Sequence, residues 1–413
     1  MRIVIAPDKF KGSLSAPDVA RHLETGLRKG AATADGPGPA GLGTAEGPGT
    51  LEVLRIPVAD GGEGTLDAAV GSGFTRRRAV VSGPTGQPLT AEFAVRGREA
   101  VIEMAVASGL AVLPPSAVSE HDGGRPGSDS ARTASSLGTG ELIRAALDAG
   151  CRQIILGVGG SANTDGGAGV LQGLGARLLD AAGNELPLGG AALAQLAAID
   201  FSGFDARLEE SRFILASDVD NPLLGPEGAA AIFGPQKGAT AADVGELDAA
   251  LANFVQVLAA EIGPRAVKAA SAPGAGAAGG VGYAAIAALA ASRRPGIDVV
   301  LEFTRLAERL AGADLVITGE GSLDEQSLLG KTPMGVARAA AAAGVPVLAV
   351  CGRTTLTPEQ QQTSGFRQVY PLTALESNVE ICIAEAGRLL EELGQHIGVH
   401  LTDSAYTKEP LNV

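Results

Sequence analysis

Short apolar runs recur along this chain, and most of them stop at glycines and carboxylates before a helical pattern begins. Residues 2–6 predict a buried strand, followed by a polar turn and an amphipathic helix from Ala16 to about Gly30, with Ser15 as its N-cap. Residues 51–56 predict a second strand, then a helix through about Val70. Over 76–103 the rhythm changes to strands around a Ser82–Gly86 turn, which suits a hairpin, and this shift in composition sets a first candidate domain boundary near residue 80. A glycine-started helix over 138–147, with Glu141 in its first turn, precedes strands at 152–156 and 212–216. Asp180 falls at what reads as a helix end. After Arg293 the alternation returns: a strand at 315–317 closing at Thr318, a helix at about 336–343, a strand at 345–350, and a last helix near 376–393. Strands alternating with helices predict an α/β fold. Residues 31–50 and 116–132 have no period and read as polar or flexible insertions, and 397–413 reads as a polar tail.

Composition narrows the picture. With 413 residues, 45% of them hydrophobic, the chain can bury a large core and is expected to form two domains. Its 32 basic residues against 46 acidic ones give a net charge of -14, which disfavours nucleic acid or an anionic membrane as a main partner. An anionic substrate would then need a local basic pocket. No apolar run approaches the ~20 residues of a membrane span, the first residues turn acidic too soon for a signal peptide, and three scattered cysteines point to a reducing cytoplasm. Of seven lysines, Lys9, Lys11, Lys237 and Lys331 lie in loops rich in Gly, Pro, Asp or Ser, and Lys237 is expected to be exposed. A lysine is a mobile point charge suited to phosphate. The histidines are His22, His121, His396 and His400, and the i,i+4 pair lacks a third ligand, so neither zinc nor histidine catalysis is expected.

The chemistry concentrates in the turns. Asp8, Lys9, Lys11, Gly12 and Ser13 follow the first strand, a set suited to a phosphate at a helix start. Asp60 and Glu63 flank paired glycines after the second strand. Gly157, Gly159 and Ala162 fit the dinucleotide pattern G-x-G-x-x-A, while Ser161, Asn163, Thr164 and Asp165 can grip hydroxyl, carboxylate or phosphate oxygens. Asp165 is a candidate base for a substrate alcohol. Asp218 and Asp220 are hard oxygen ligands of the kind Mg²⁺ takes beside phosphates. Glu320, Ser322 and Asp324 precede Lys331 in 325–332, a near match to the phosphate loop G-x-x-x-x-G-K-[ST] in which Glu325 replaces the first glycine. That loop fold is rejected, and Lys331 is kept as an anion-reaching group. Gly274–Gly279 matches G-x-G-x-x-G but follows no strand, and reads as a helix entry.

Taken in order, residues 6–15, 57–65, 138–143, 159–167, 217–224 and 318–332 resemble the bacterial type II glycerate kinase family across nearly the whole chain. The resemblance implies ATP- and Mg²⁺-dependent phosphorylation of D-glycerate, with 2-phosphoglycerate the favoured product. It also implies two α/β lobes: a Rossmann- or flavodoxin-like one from residues 1–80 and 291–396, and a second inserted over 81–290. Phosphoryl transfer to an alcohol needs charge neutralisation and a group that handles the hydroxyl proton. Lys9 and Lys331 with Mg²⁺ are expected to supply the first, Asp165 the second, and Asp218 with Asp220 to hold the metal. Asp8, Lys11, Asp60, Glu63, Ser161, Asn163, Lys237, Glu320, Ser322 and Asp324 are expected to bind substrate or phosphate. The family more often has Ala-Thr-Asn-Asp where this chain has Ala162–Asp165. Two other readings stand beside it: an NAD-dependent hydroxy-acid oxidoreductase, and a non-catalytic sugar-acid sensor. Oligomeric state is left open.

Overall fold

A computed structural model describes residues 1–34, 51–119, 125–328 and 330–401. The chain forms two compact units, one from Met1–Asp60, Asp67–Ser72 and Ile297 onward, the other from Gly61–Leu66 and Gly73–Gly296.

The first unit is built on five parallel strands. In chain order they are Arg2–Pro7, Glu52–Arg55, Leu315–Leu323, Val347–Thr354 and Gln368–Pro371, and in the sheet they lie fifth, fourth, third, first, second. This is the flavodoxin-like order, with its topological switch between the first and third strands. Ile3, Ile5, Leu315, Ile317, Leu348 and Val350 join one core with Leu23 and Leu27 of the helix Ala16–Ala34 and Leu390 and Leu393 of the helix Ala386–Val399. The intervening Val4, Ala6 and Val316 are equally buried, so both sheet faces are covered. The two helices meet through glycines. A Cβ on Gly26 or Gly30 would lie 2.1 Å from the carbonyl of Glu391 or Gln395, and one on Gly398 2.4 Å from that of Leu27.

Several element boundaries differ from those read in the sequence. The strand 315–317 does not stop at Thr318 but runs to Leu323, because Glu320, Ser322 and Leu323 find ladder partners in Cys351, Arg353 and Thr354. The acidic stretch expected as a loop is therefore partly strand. The last helical region divides into Val379–Ala384 and Ala386–Val399; the second part carries His396, and its buried Ile397 belongs to the core. The first helix continues to Ala34, so residues 31–34 of the expected insertion are helical, while 35–50 lie outside the described residues.

The second unit holds a six-stranded sheet whose neighbours follow chain order: Thr75–Ser82, Pro88–Arg96, Glu99–Glu103, Gln153–Gly157, Arg212–Ala216 and Ser292–Arg294. The first three pair antiparallel as the hairpin pattern predicts, and the last four run parallel. Asp180 follows a short strand, Arg177–Leu179, that pairs antiparallel with Ala198–Asp200; it is no helix end. It accepts from the amides of Ala182 and Asn184, closing its own turn. The insertion at 116–132 contains the pair Val118–Ser119 and Arg125–Pro126 and a helix, Ser128–Thr133. The helix expected at 138–147 is Leu137–Asp148, which puts Glu141 past the first turn, where it accepts from the amide and hydroxyl of Ser82.

Candidate functional site

In the first unit, side chains gather at the carboxyl ends of the first and third strands, where ligands bind in open parallel sheets. The amide of Asp8 donates to the Gly319 carbonyl at 2.7 Å, which fastens the two strand ends together. Asp8 is buried; its Oδ1 accepts from the Lys9 amide at 2.7 Å and its Oδ2 from Thr332 Oγ1 at 2.6 Å. Burial, and then the charge of Asp60, push the Asp8 carboxyl up to about 6, against the opposing charge of Lys9. Glu320 extends from the prolonged third strand with Oε1 buried and lacking a hydrogen-bond partner. Burial raises it to about 7; the charges of Asp8 and Asp324 add to this, while Ser327 and Lys331 oppose it. Lys331 occupies the N-cap position of the helix Thr332–Ala342 with Pro333 just inside, and its Nζ reaches Gln326 Oε1 at 3.5 Å. A helix start beside a lysine favours an anion.

Other residues of that neighbourhood have structural work. Asp324 Oδ1 accepts from the amides of Gln326 and Ser327, turning the chain into the short helix Glu325–Leu328. Ser322 Oγ accepts from Arg353 Nε at 3.4 Å. Lys11 is exposed.

In the second unit the loop 158–167 follows the strand Gln153–Gly157. A Cβ on Gly157 would lie 2.4 Å from the Gly61 carbonyl, and one on Gly159 2.9 Å from the Gly62 Cα. These glycines admit the segment 61–62 of the chain, and the next helix, Ala168–Gly173, begins only after the loop. The space that a dinucleotide's pyrophosphate would need is filled by backbone, so the G-x-G-x-x-A match does not form a nicotinamide site. Glu103, at the neighbouring strand end, holds the same segment by accepting from the amides of Gly64 and Leu66 at 3.1 and 3.2 Å. Glu63 within it is exposed.

Asp165 is the hub of this loop. Its two oxygens accept from the amides of Ser136, Gly167 and Gly169, the hydroxyls of Ser135 and Ser136, and Asn163 Nδ2, at 2.8 to 3.4 Å. A carboxylate so fully engaged organises the loop, and this geometry does not suit the base role expected of it. Asn163 Nδ2 also donates to the Ala278 carbonyl, while Asn163 Oδ1 and Thr164 Oγ1 are buried without a partner. The stretch 274–279 does lead into a helix, Ala277–Ala287, but its start is kinked because Ala278, Gly279 and Gly280 all have left-handed backbone (φ 54°, 65° and 95°). A Cβ on Gly279 would lie 2.0 Å from the Asn163 carbonyl.

Lys237 departs most from expectation. It is buried rather than exposed, because the turn Pro235–Lys237 directs it inward, where Nζ donates to Ser161 Oγ at 2.8 Å and to the Asn163 carbonyl. Burial lowers its ammonium to about 7, with the charge of Asp165 opposing.

The expected metal pair is otherwise engaged. Asp218 Oδ1 accepts from the Gly296 amide at 2.8 Å, and the exposed Asp220 pairs with Arg293 at 2.7 Å. Among the described residues no group of three or more His, Cys, Asp and Glu is placed to hold a metal ion. The chemistry of Asp8 suits a divalent cation better: a buried carboxylate repelled by Asp60 and hydrogen-bonded to a threonine at a helix start. Sequence reasoning missed Thr332, Glu103 and the Ser135–Ser136 pair. Thr332 alone carried a signal, as the last residue of the Gly-Lys-Thr match.

Comparison with known proteins agrees over almost the whole chain. A family model described as the glycerate kinase family matches residues 3–402. Glycerate kinase from Bacillus subtilis (strain 168) is 42% identical over 406 residues, covering 97% of this chain and 98% of that protein. Glycerate 2-kinase from Escherichia coli (strain K12) is 42% identical over 360 residues, 86% of each chain. The crystal structure of a candidate glycerate kinase 2 from Salmonella typhimurium LT2 matches with a TM-score of 0.77 at 40% identity, covering 97% of this chain and 98% of that one.

Proposed function

The chain belongs to the glycerate kinase family, and on that premise we propose that it transfers the γ-phosphoryl group of ATP to the 2-hydroxyl of D-glycerate. The observation that carries the reading is the joining of Asp8, Thr332 and Lys331 at the switch point of the first sheet. A hydroxyl hydrogen-bonded to a carboxylate, beside a lysine at a helix start, is the chemistry that receives a phosphate with its metal. Asp8, Asp60 and Thr332 are the residues that would hold Mg²⁺. Bound there, the metal would neutralise charge on the phosphate oxygens as the phosphoryl group leaves. Lys331 and Lys9 add positive charge for the same phosphates, and Glu320 lies within electrostatic reach of Asp8 and Lys331. In the second unit Ser161, Lys237 and the 163–165 turn handle the acceptor, with Asp165 fixing the turn. The preference for the 2-hydroxyl follows the name of the Escherichia coli relative.

Among the described residues no helix is long and apolar enough to cross a membrane. A coupled ADP-release assay over a panel of hydroxy acids tests the reading. D-Glycerate should drive ADP release that needs Mg²⁺, phosphorus NMR should place the new ester on the 2-oxygen, and Lys331→Ala should lower kcat/KM by roughly 10²-fold or more. Folded protein that binds glycerate without releasing ADP would be a sensor instead, and the proposal would fall.

A further inference from the structure

The kinase reading leaves open which group takes the proton of the acceptor alcohol. Asp165, the obvious carboxylate, has both oxygens occupied by amide and hydroxyl donors. Lys237 stands on the other side of the same turn with its Nζ 2.8 Å from Ser161 Oγ. It is 1% exposed and cannot meet a substrate directly, whereas Ser161 keeps 6% of its surface and lies in the loop that leaves the strand end. In its ammonium form the lysine donates to Ser161 Oγ; with the amine neutral the same contact reverses, Ser161 donating to Nζ and keeping an Oγ lone pair for the substrate hydroxyl. Resting on the proposed kinase function, we infer that Ser161 and Lys237 form a proton relay for the acceptor hydroxyl, with Ser161 touching the substrate and Lys237 acting through it.

The step balances. As the substrate oxygen forms its bond to the γ-phosphorus and the bond from that phosphorus to the ADP oxygen breaks, the substrate proton passes to Ser161 Oγ. The serine proton passes in turn to the neutral amine of Lys237. The serine is restored, the lysine ends as an ammonium, and it returns its proton to solvent after product leaves.

The surroundings suit a lysine that is neutral for part of its time. Burial holds its ammonium near 7, and Asp165 is the charge that opposes this. On the adjoining helix Ser128–Thr133, Arg132 is committed to Asp243 and Glu246 and Asp129 is exposed. The adjoining helix Ala229–Phe233 carries no charge. A group with a pKa near the working pH is the efficient acid–base partner.

The test measures kcat and KM for D-glycerate from about pH 5.5 to about 9.5 in the full-length protein, with Lys237→Met and Ser161→Ala compared with wild type. Folding is checked by circular dichroism. Wild-type kcat should rise along a limb near pH 7. In both variants that limb should disappear and kcat should fall by roughly 10²–10⁴ while KM stays within about threefold. If Lys237→Met does not fold, Ser161→Ala carries the test alone. A limb retained in the variants, loss in Lys237→Met with Ser161→Ala unaffected, or a change confined to KM would overturn the relay; the last would make the Ser161–Lys237 pair a binding element with no part in proton transfer. Wild-type protein that releases no ADP with glycerate would instead sink the kinase reading, and the relay with it.

Discussion

Glu320 is placed where its charge is least welcome, on a strand continued into a nearly dry corner beside two other carboxylates. Because its folded pKa lies above the ordinary 4.5, at about 7, the native state binds the proton more tightly than the unfolded chain. Stability should therefore be greatest below about 4.5 and decline as pH rises to about 7. Asp8 contributes the same sign between its ordinary 3.8 and about 6. Glu320→Gln should flatten the melting temperature across this window and stabilise the protein at pH 8 by on the order of 1–3 kcal/mol. Parallel curves for the two proteins would disprove it. Asp165→Asn should act oppositely, turning an amide nitrogen toward backbone and hydroxyl donors and costing about 2–4 kcal/mol in thermal melts at neutral pH. The residues themselves were legible as chemistry, since Asp8, Lys331 and Ser161 stand out as polar groups at strand ends. Their partners were not. Ser135 and Ser136 reach Asp165 only through the fold, and Lys237 looked like a surface lysine until the turn at Pro235 set its direction.

Helices and strands were read well where periodicity is strong and poorly where tertiary pairing extends them. The third strand of the first sheet passes through Gly319 and Gly321, residues with little strand preference, because the fourth strand offers it a ladder. The last helix continues past Leu393 because Ile397 completes the core against Leu23 and Leu27. The crossing of the first and last helices depends on Gly26, Gly30, Gly394 and Gly398, spaced four apart on each helix. In an isolated helix, glycine to alanine is favourable by about 1 kcal/mol. Here the sign should reverse. Gly26→Ala places a methyl 2.1 Å from a carbonyl of the other helix, so it should destabilise by about 1–3 kcal/mol in chemical denaturation. A stabilised variant would show that the helices can separate without penalty.

The whole chain is interleaved. Gly61–Leu66 belongs to the second unit although residues on both sides of it belong to the first. Composition alone placed a single early boundary near residue 80, since nothing in a short glycine-rich stretch marks which core it joins. The buried Glu103 and the Cβ-free faces of Gly157 and Gly159 decide that. A fragment of residues 61–296 should therefore melt higher than one of residues 73–296, which leaves Glu103 without the amides it accepts from. Equal melting of the two would show that the segment contributes nothing to the second unit. The same threading governs how the protein answers a protease. A nick beside residue 296 severs one strand of covalent attachment, yet the remaining crossovers at 60–61, 66–67 and 72–73 still leash the two bodies together. Clipped molecules should keep their full mass on a sizing column and reveal the damage only once they are unfolded.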